Sequence, residues 1–159
     1  FLTVGYLIKR RGSAEVSAFG GVEKVAPVLA GAFLLAALSA LSLPGMSTFV
    51  SEFLVIAGTW SRTPWVAAIA ATGIILAATY ALLMYQRTMT GPVTEATAKH
   101  FTNKDLSGSE RSVLVPIVAI ILIFGVLPGP IVSLVEPTAK AAMSRMQLTD
   151  PVAPAKGEK

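Results

Sequence analysis

The sequence predicts an all-α integral membrane protein, and three observations predict it. Hydrophobic residues make up 53% of the chain and charged residues only 14%, against about 25% charge in an ordinary soluble domain; the mean hydropathy is +0.68. The apolar residues are gathered into long runs. Residues 25–61 carry no charge except Glu52, and residues 63–86 and 112–135 carry none; uncharged runs of this length read as membrane spans. The runs also lack the period-two alternation of a barrel strand, so the spans are helices. The absence of cysteine excludes disulfides, thiolate metal sites and cysteine nucleophiles. The net charge of +4 comes from basic residues flanking apolar runs, which points to membrane orientation and not to nucleic acid.

Residues 1–8 read as the end of a transmembrane helix whose start lies outside the sequence, because Lys9, Arg10 and Arg11 follow the apolar stretch where a signal peptide would have them before it. Residues 9–24 form a polar loop with Gly12-Ser13 and Gly20-Gly21 as turn signals. Residues 25–43 are apolar and long enough to cross, with Pro27 suited to a first helical turn. Pro44-Gly45 then breaks the run, since proline removes a backbone donor and glycine permits a sharp bend. Ser47 or Thr48 is placed to cap a restarted helix ending near Trp60, with Trp60 and Trp65 bracketing the next turn at an interface. Residues 25–61 are therefore read as one discontinuous transmembrane helix. A single crossing puts eight of the thirteen basic residues, Lys9, Arg10, Arg11, Lys24, Arg87, Lys99, Lys104 and Arg111, on one side, which the positive-inside tendency makes cytoplasmic. Residues 63–86 are the next span and 87–110 a second cytoplasmic loop, in which residues 93–101 suit a short interfacial helix. Ser107 followed three residues later by Glu110 is a capping box opening the last span, residues 111–136, which Pro128-Gly-Pro130 bends or ends. Residues 137–159 are a C-terminal tail on the non-cytoplasmic side: residues 137–148 suit a surface position, and residues 151–159 read as disordered.

Glu52 is the candidate site. Counting back from Arg62, it lies about 15 Å along a helix, near the middle of a core about 30 Å thick. A carboxyl group at that depth is costly and usually faces a polar interior or a proton path. Two readings stand open, a packing acid bonded to a neighbouring helix and a proton-transfer group. Burial raises a carboxyl pKa and a nearby cation or helix N-terminus lowers it, so opposed effects can set it to load and release protons near neutrality. The adjacent break favours the second reading, because irregular backbone at membrane depth lines cavities and recurs at ion sites of transporters. Around the break, Ser47, Thr48 and Ser51 are possible water-chain hydroxyls, with Ser39 and Ser42 beside them; helix capping and backbone bonding are the ordinary alternative. Thr72, Thr79 and Tyr80 carry the same ambiguity. His100 is the single histidine, is expected to be solvated and has no second metal ligand near it. No phosphate-binding loop, dinucleotide glycine motif or Ser/His/Asp constellation is present.

The stretch Gly20-Gly-Val-Glu-Lys-Val-Ala-Pro27, followed by Leu41-Ser-Leu-Pro-Gly-Met-Ser-Thr-Phe-Val-Ser-Glu-Phe53, resembles the antiporter-like, proton-translocating subunits of bacterial respiratory complex I. Tyr80-Ala-Leu-Leu-Met-Tyr-Gln-Arg-Thr-Met-Thr-Gly-Pro92 and Asp105-Leu-Ser-Gly-Ser-Glu-Arg111 extend the likeness over nearly the whole chain, and L-P-G-x-x-x-F-x-x-E-F is its most specific part. The resemblance implies the C-terminal helices of a fourteen-helix antiporter-like bundle with a helix broken at Pro44-Gly45, and a terminal proton-transfer glutamate at Glu52, as in the family's M-type members; the family's other key groups lie on earlier helices. It further implies neighbouring antiporter-like subunits and the lipid bilayer as partners and the bacterial plasma membrane as location. No cofactor is expected in this chain, with FMN, iron–sulfur clusters and quinone elsewhere in the complex, so it would be a subunit of the NADH:quinone oxidoreductase without a redox site. Mrp-type cation/proton antiporters and membrane hydrogenases share the fold and are the alternative.

Overall fold

A computed structural model describes residues 1–101 and 105–146 as helices joined by short turns. In order these are α1 (Leu2–Arg11), a 3-10 turn (Val16–Ala18), α2 (Val22–Val25), α3 (Pro27–Ala40), α4 (Ser47–Trp60), α5 (Pro64–Met89), α6 (Glu95–Phe101), α7 (Gly108–Val126) and α8 (Gly129–Arg145). α5, with 26 residues, and α7, with 19, are each long and apolar enough to cross a membrane.

Local chemistry explains the boundaries. α1 ends where Gly12 turns left-handed and returns its N–H to the Ile8 carbonyl, with Lys9, Arg10 and Arg11 in the last turn where the helix dipole favours cations. Pro27 and Pro64 begin α3 and α5, where a missing N–H costs nothing. Ser107 and Glu110 form the reciprocal capping box that opens α7.

The helices pack unevenly. Where α1 ends and α3 and α7 begin, α2, α6 and the last turn of α5 close a sealed cluster in which Val22, Leu29, Met89 and Phe101 are at most 0% exposed and Phe19, Phe33 and Leu114 are buried around them. Farther along, α4 runs between α5 and α7, yet neither α4 nor α8 has a single buried residue.

Three expectations are corrected. The span expected over residues 111–136 stops at Val126, since Pro128 cannot donate to a continuing ladder, and α8 then starts with Pro130 in its first turn. The expected tail is accordingly helical through Arg145; residues 147–159, including the disordered segment expected at 151–159, lie outside the described residues. The short helix expected at 93–101 begins at Glu95, and it buries Thr97 and Phe101 completely against α1 and α2.

Candidate functional site

α3 ends because Pro44 lies ahead of it: residue 43, before proline, is pushed out of the α region. The last turn tightens, with Leu41 N–H shared between the Ala37 and Leu38 carbonyls and Ser42 N–H on the Ser39 carbonyl. Met46 N–H then reaches back to the Leu43 carbonyl at 3.0 Å around Pro44 and Gly45, and Gly45 has φ +93°. Proline followed by a positive-φ glycine is the pattern of a type II turn. The chain re-enters a helix at Ser47. The expected cap at Ser47 or Thr48 does not form: Met46 holds the cap position without a side-chain bond. The Thr48 hydroxyl instead donates to the Ser39 carbonyl at 2.5 Å, tying the start of α4 to the end of α3.

The break is seated on α7. A Cβ placed on Gly125 would collide with the Gly45 carbonyl and come within 2.6 Å of the Met46 carbonyl carbon. No side chain larger than hydrogen fits there without moving the turn. Ser42, just before the turn, has φ +52°, a region costly for a residue with a Cβ, and is buried with a hydroxyl that has no protein hydrogen-bond partner.

Glu52 stands in the second turn of α4 and is exposed in this chain. It lines a cleft of about 430 Å³ between α4 and α5, opposite Ala70, Gly73 and Ala77, with Leu41 from the end of α3 and Tyr80 also on its wall. The small residues on α5 leave the space that a larger side chain would fill. Ser51 shares this cleft, its hydroxyl donating to the Thr48 carbonyl at 2.9 Å. Ser47 does not: it lines a separate, apolar groove with Leu54, Phe124 and Val132. Thr72 and Thr79 bond back to the Ile69 and Ile75 carbonyls, so of the α5 hydroxyls considered Tyr80 alone joins Glu52 in the cleft. Among the described residues no group of three His, Asp or Glu side chains could hold a metal.

Sequence reasoning missed a second charged constellation, at the other end of α3. Arg10 grips Glu110 with both terminal guanidinium nitrogens, Nη1 and Nη2, at 3.2 and 2.5 Å, and also donates to the Tyr6 and Asp105 carbonyls. Both side chains are about nine-tenths buried, at 8% and 10% exposure. Glu110 accepts from Ser107 N–H as well, while Asp105 accepts from the N–H groups of Val28 and Leu29 and so caps α3 from outside. His100, expected to be solvated, is half-buried with Nδ1 at 2.8 Å from the Ala96 carbonyl. The signal for Arg10 was weak, because a basic residue after an apolar run reads first as an orientation charge. The signal for Gly125 was an isolated glycine in an apolar helix, which usually has a packing reason.

The sequence pattern of the family described as "NADH:quinone oxidoreductase/Mrp antiporter, TM" matches residues 1–85. The chain is 44% identical over 151 residues to NADH-quinone oxidoreductase subunit M of Mycobacterium tuberculosis, covering 95% of this chain and 27% of that protein. It is 41% identical to subunit M of Rickettsia typhi, over 84% of this chain and 26% of the relative, and 36% identical to that of Rhodobacter capsulatus, over 87% and 27%. The chain thus spans about a quarter of the length of these relatives. It is also similar to a chain of respiratory complex I from Thermus thermophilus solved with bound NADH, with a TM-score of 0.77 and 34% identity over 87% of this chain and 28% of that one.

Proposed function

The chain belongs to the NADH:quinone oxidoreductase/Mrp antiporter transmembrane family, and from that premise we propose that it is part of a proton-translocating membrane subunit of complex I in which Glu52 is the terminal proton-transfer group. The observation that carries the reading is the position of Glu52. It is the only carboxyl group in an uncharged stretch, it follows a backbone break by about two helical turns, and it faces a cleft walled by small residues.

In this reading α3 and α4, 14 residues each, are the halves of one crossing. Each is about 21 Å long, short of a hydrocarbon core of about 30 Å, so neither spans alone. The polar loops joining α1 to α3 and α5 to α7 face the cytoplasm, and α8 faces the other side. At the break itself the buried Ser42 hydroxyl has no protein partner and is suited to hold a water. Quinone reduction elsewhere in the complex shifts the charge of a neighbouring group, and Glu52 answers by exchanging a proton with the far side. FMN, iron–sulfur clusters and quinone belong to other parts of the complex, whose membrane subunits are the partners. The relatives named as subunit M of NADH-quinone oxidoreductase favour this assignment over an Mrp-type antiporter or membrane hydrogenase.

The test is Glu52→Gln in the complete parent complex, with NADH–quinone turnover and proton uptake measured in sealed vesicles. Both are expected to fall steeply while assembly stays intact, since the amide keeps the shape and loses the titrating proton. Wild-type values for both would reduce Glu52 to a packing residue.

A further inference from the structure

The cleft beside Arg10 has a use that its own ion pair does not exhaust. It has a volume of about 610 Å³, and six of the side chains lining it are charged or can become so: Lys9, Arg10, His100, Asp105, Glu110 and Arg111. Two of those are carboxylates, and both are saturated from within. Asp105 accepts from Val28, Leu29 and Leu106 N–H groups, and Glu110 accepts from Arg10 and from Ser107 N–H. Arg10 is in turn spent on Glu110 and two carbonyls. What the cleft presents outward is Lys9 and Arg111, both exposed, with Ser107 and the half-buried His100 also on its wall.

The two cations come from different helices and line the same cleft. Lys9 follows directly on the apolar part of α1, and Arg111 directly precedes the uncharged run of α7. Next to them in sequence, on the apolar side of each, Ile8, Val113 and Val115 are exposed apolar surface. A bilayer puts its phosphates at such a boundary, and basic pockets there attract anionic headgroups at about 1 kcal/mol per cation, or roughly five-fold in affinity for each.

We propose that this cleft binds the phosphate of an anionic phospholipid, with Lys9 and Arg111 as its two counter-charges and the Arg10–Glu110–Asp105 assembly as the rigid wall that holds them apart. The site depends on α7 crossing the membrane and not on any role of Glu52.

The experiment uses the intact complex and photoactivatable phosphatidic acid, with photoactivatable phosphatidylcholine as the zwitterionic control, followed by peptide mapping. The acidic probe is expected to label peptides containing residues 9–11 or 107–115 roughly ten- to thirty-fold more than the control, and the Lys9→Gln/Arg111→Gln double variant to lose that excess. The charge-conserving pair Lys9→Arg/Arg111→Lys keeps it, and proton translocation stays at the wild-type level in both. Equal labelling of wild type and the glutamine variant overturns the site. Displacement of the probe by millimolar inorganic phosphate overturns the lipid as its occupant and leaves a free phosphate in its place.

Discussion

At the start of α3 a buried arginine is gripped by a buried glutamate, a second carboxylate caps the helix, and Val22 of α2, Met89 of α5 and Phe101 of α6 are sealed from solvent. At its end the helix runs into a proline–glycine turn, a serine hydroxyl is buried without a partner, and the next helix keeps every residue at least partly open. Two ends of one 14-residue helix thus obey different rules. The first satisfies its polar groups inside the chain, so it fixes position. The second leaves polar groups and a carboxylate unanswered, which is what the proposed proton exchange would need, since a group locked into permanent bonds does not load and release.

The contrast is broken most severely at the fixed end. Arg10→Ala removes one partner of a buried pair and strands Glu110, a loss of about 3–5 kcal/mol; thermal inactivation of the complex should shift sharply downward and assembly should drop. An unchanged midpoint would mean that this end is not an anchor. Next comes Gly125→Ala, which forces the turn off α7 at a cost of about 1–3 kcal/mol, the usual range for overpacking. It should lower thermal stability and proton translocation together, because the seat of the break moves. Asp105→Ala removes the external cap of α3 and is expected to cost about 1 kcal/mol, in line with a lost N-terminal cap, read by the same thermal scan.

Changes at the open end should scarcely register as stability. Ser42→Ala deletes a buried hydroxyl without a partner, so stability is expected to hold or to rise by about 1 kcal/mol. A fall in translocation in that same variant would assign the hydroxyl to the proton path. Glu52→Gln, at an exposed position, should shift stability by less than about 0.5 kcal/mol, which keeps its effect on translocation separable from folding.

Which features were legible in the sequence follows from the range of the forces involved. The all-helical membrane class was plain, because long uncharged runs are a local property. So were the capping box of Ser107 and Glu110 and the turn at Pro44-Gly45, each encoded within four residues. The Arg10–Glu110 pair was hidden because its members lie 100 residues apart and each has a local explanation that suffices. The seat at Gly125 was hidden because only the folded chain brings it against Gly45. The restart of α8 was misjudged because proline stops one helix and is equally at home in the first turn of another. As for Glu52, its position was readable from the charge pattern, whereas its exposure depends on what packs against α4 and is written in no single stretch.

The separation between Arg10 and Glu110 has a consequence for synthesis. A chain enters the membrane in order, and α1 is in place long before residue 110 is made. Until then Arg10 has no carboxylate to hold, and the start of α3 lacks the cap that Asp105 supplies from 76 residues downstream of Leu29. The fixed end therefore closes late, when the first turn of α7 arrives. Closing so long a loop adds only a slowly growing entropic cost, but it sets a sequence of events: the helices carrying the break are threaded while still loosely held, and one late ion pair locks them.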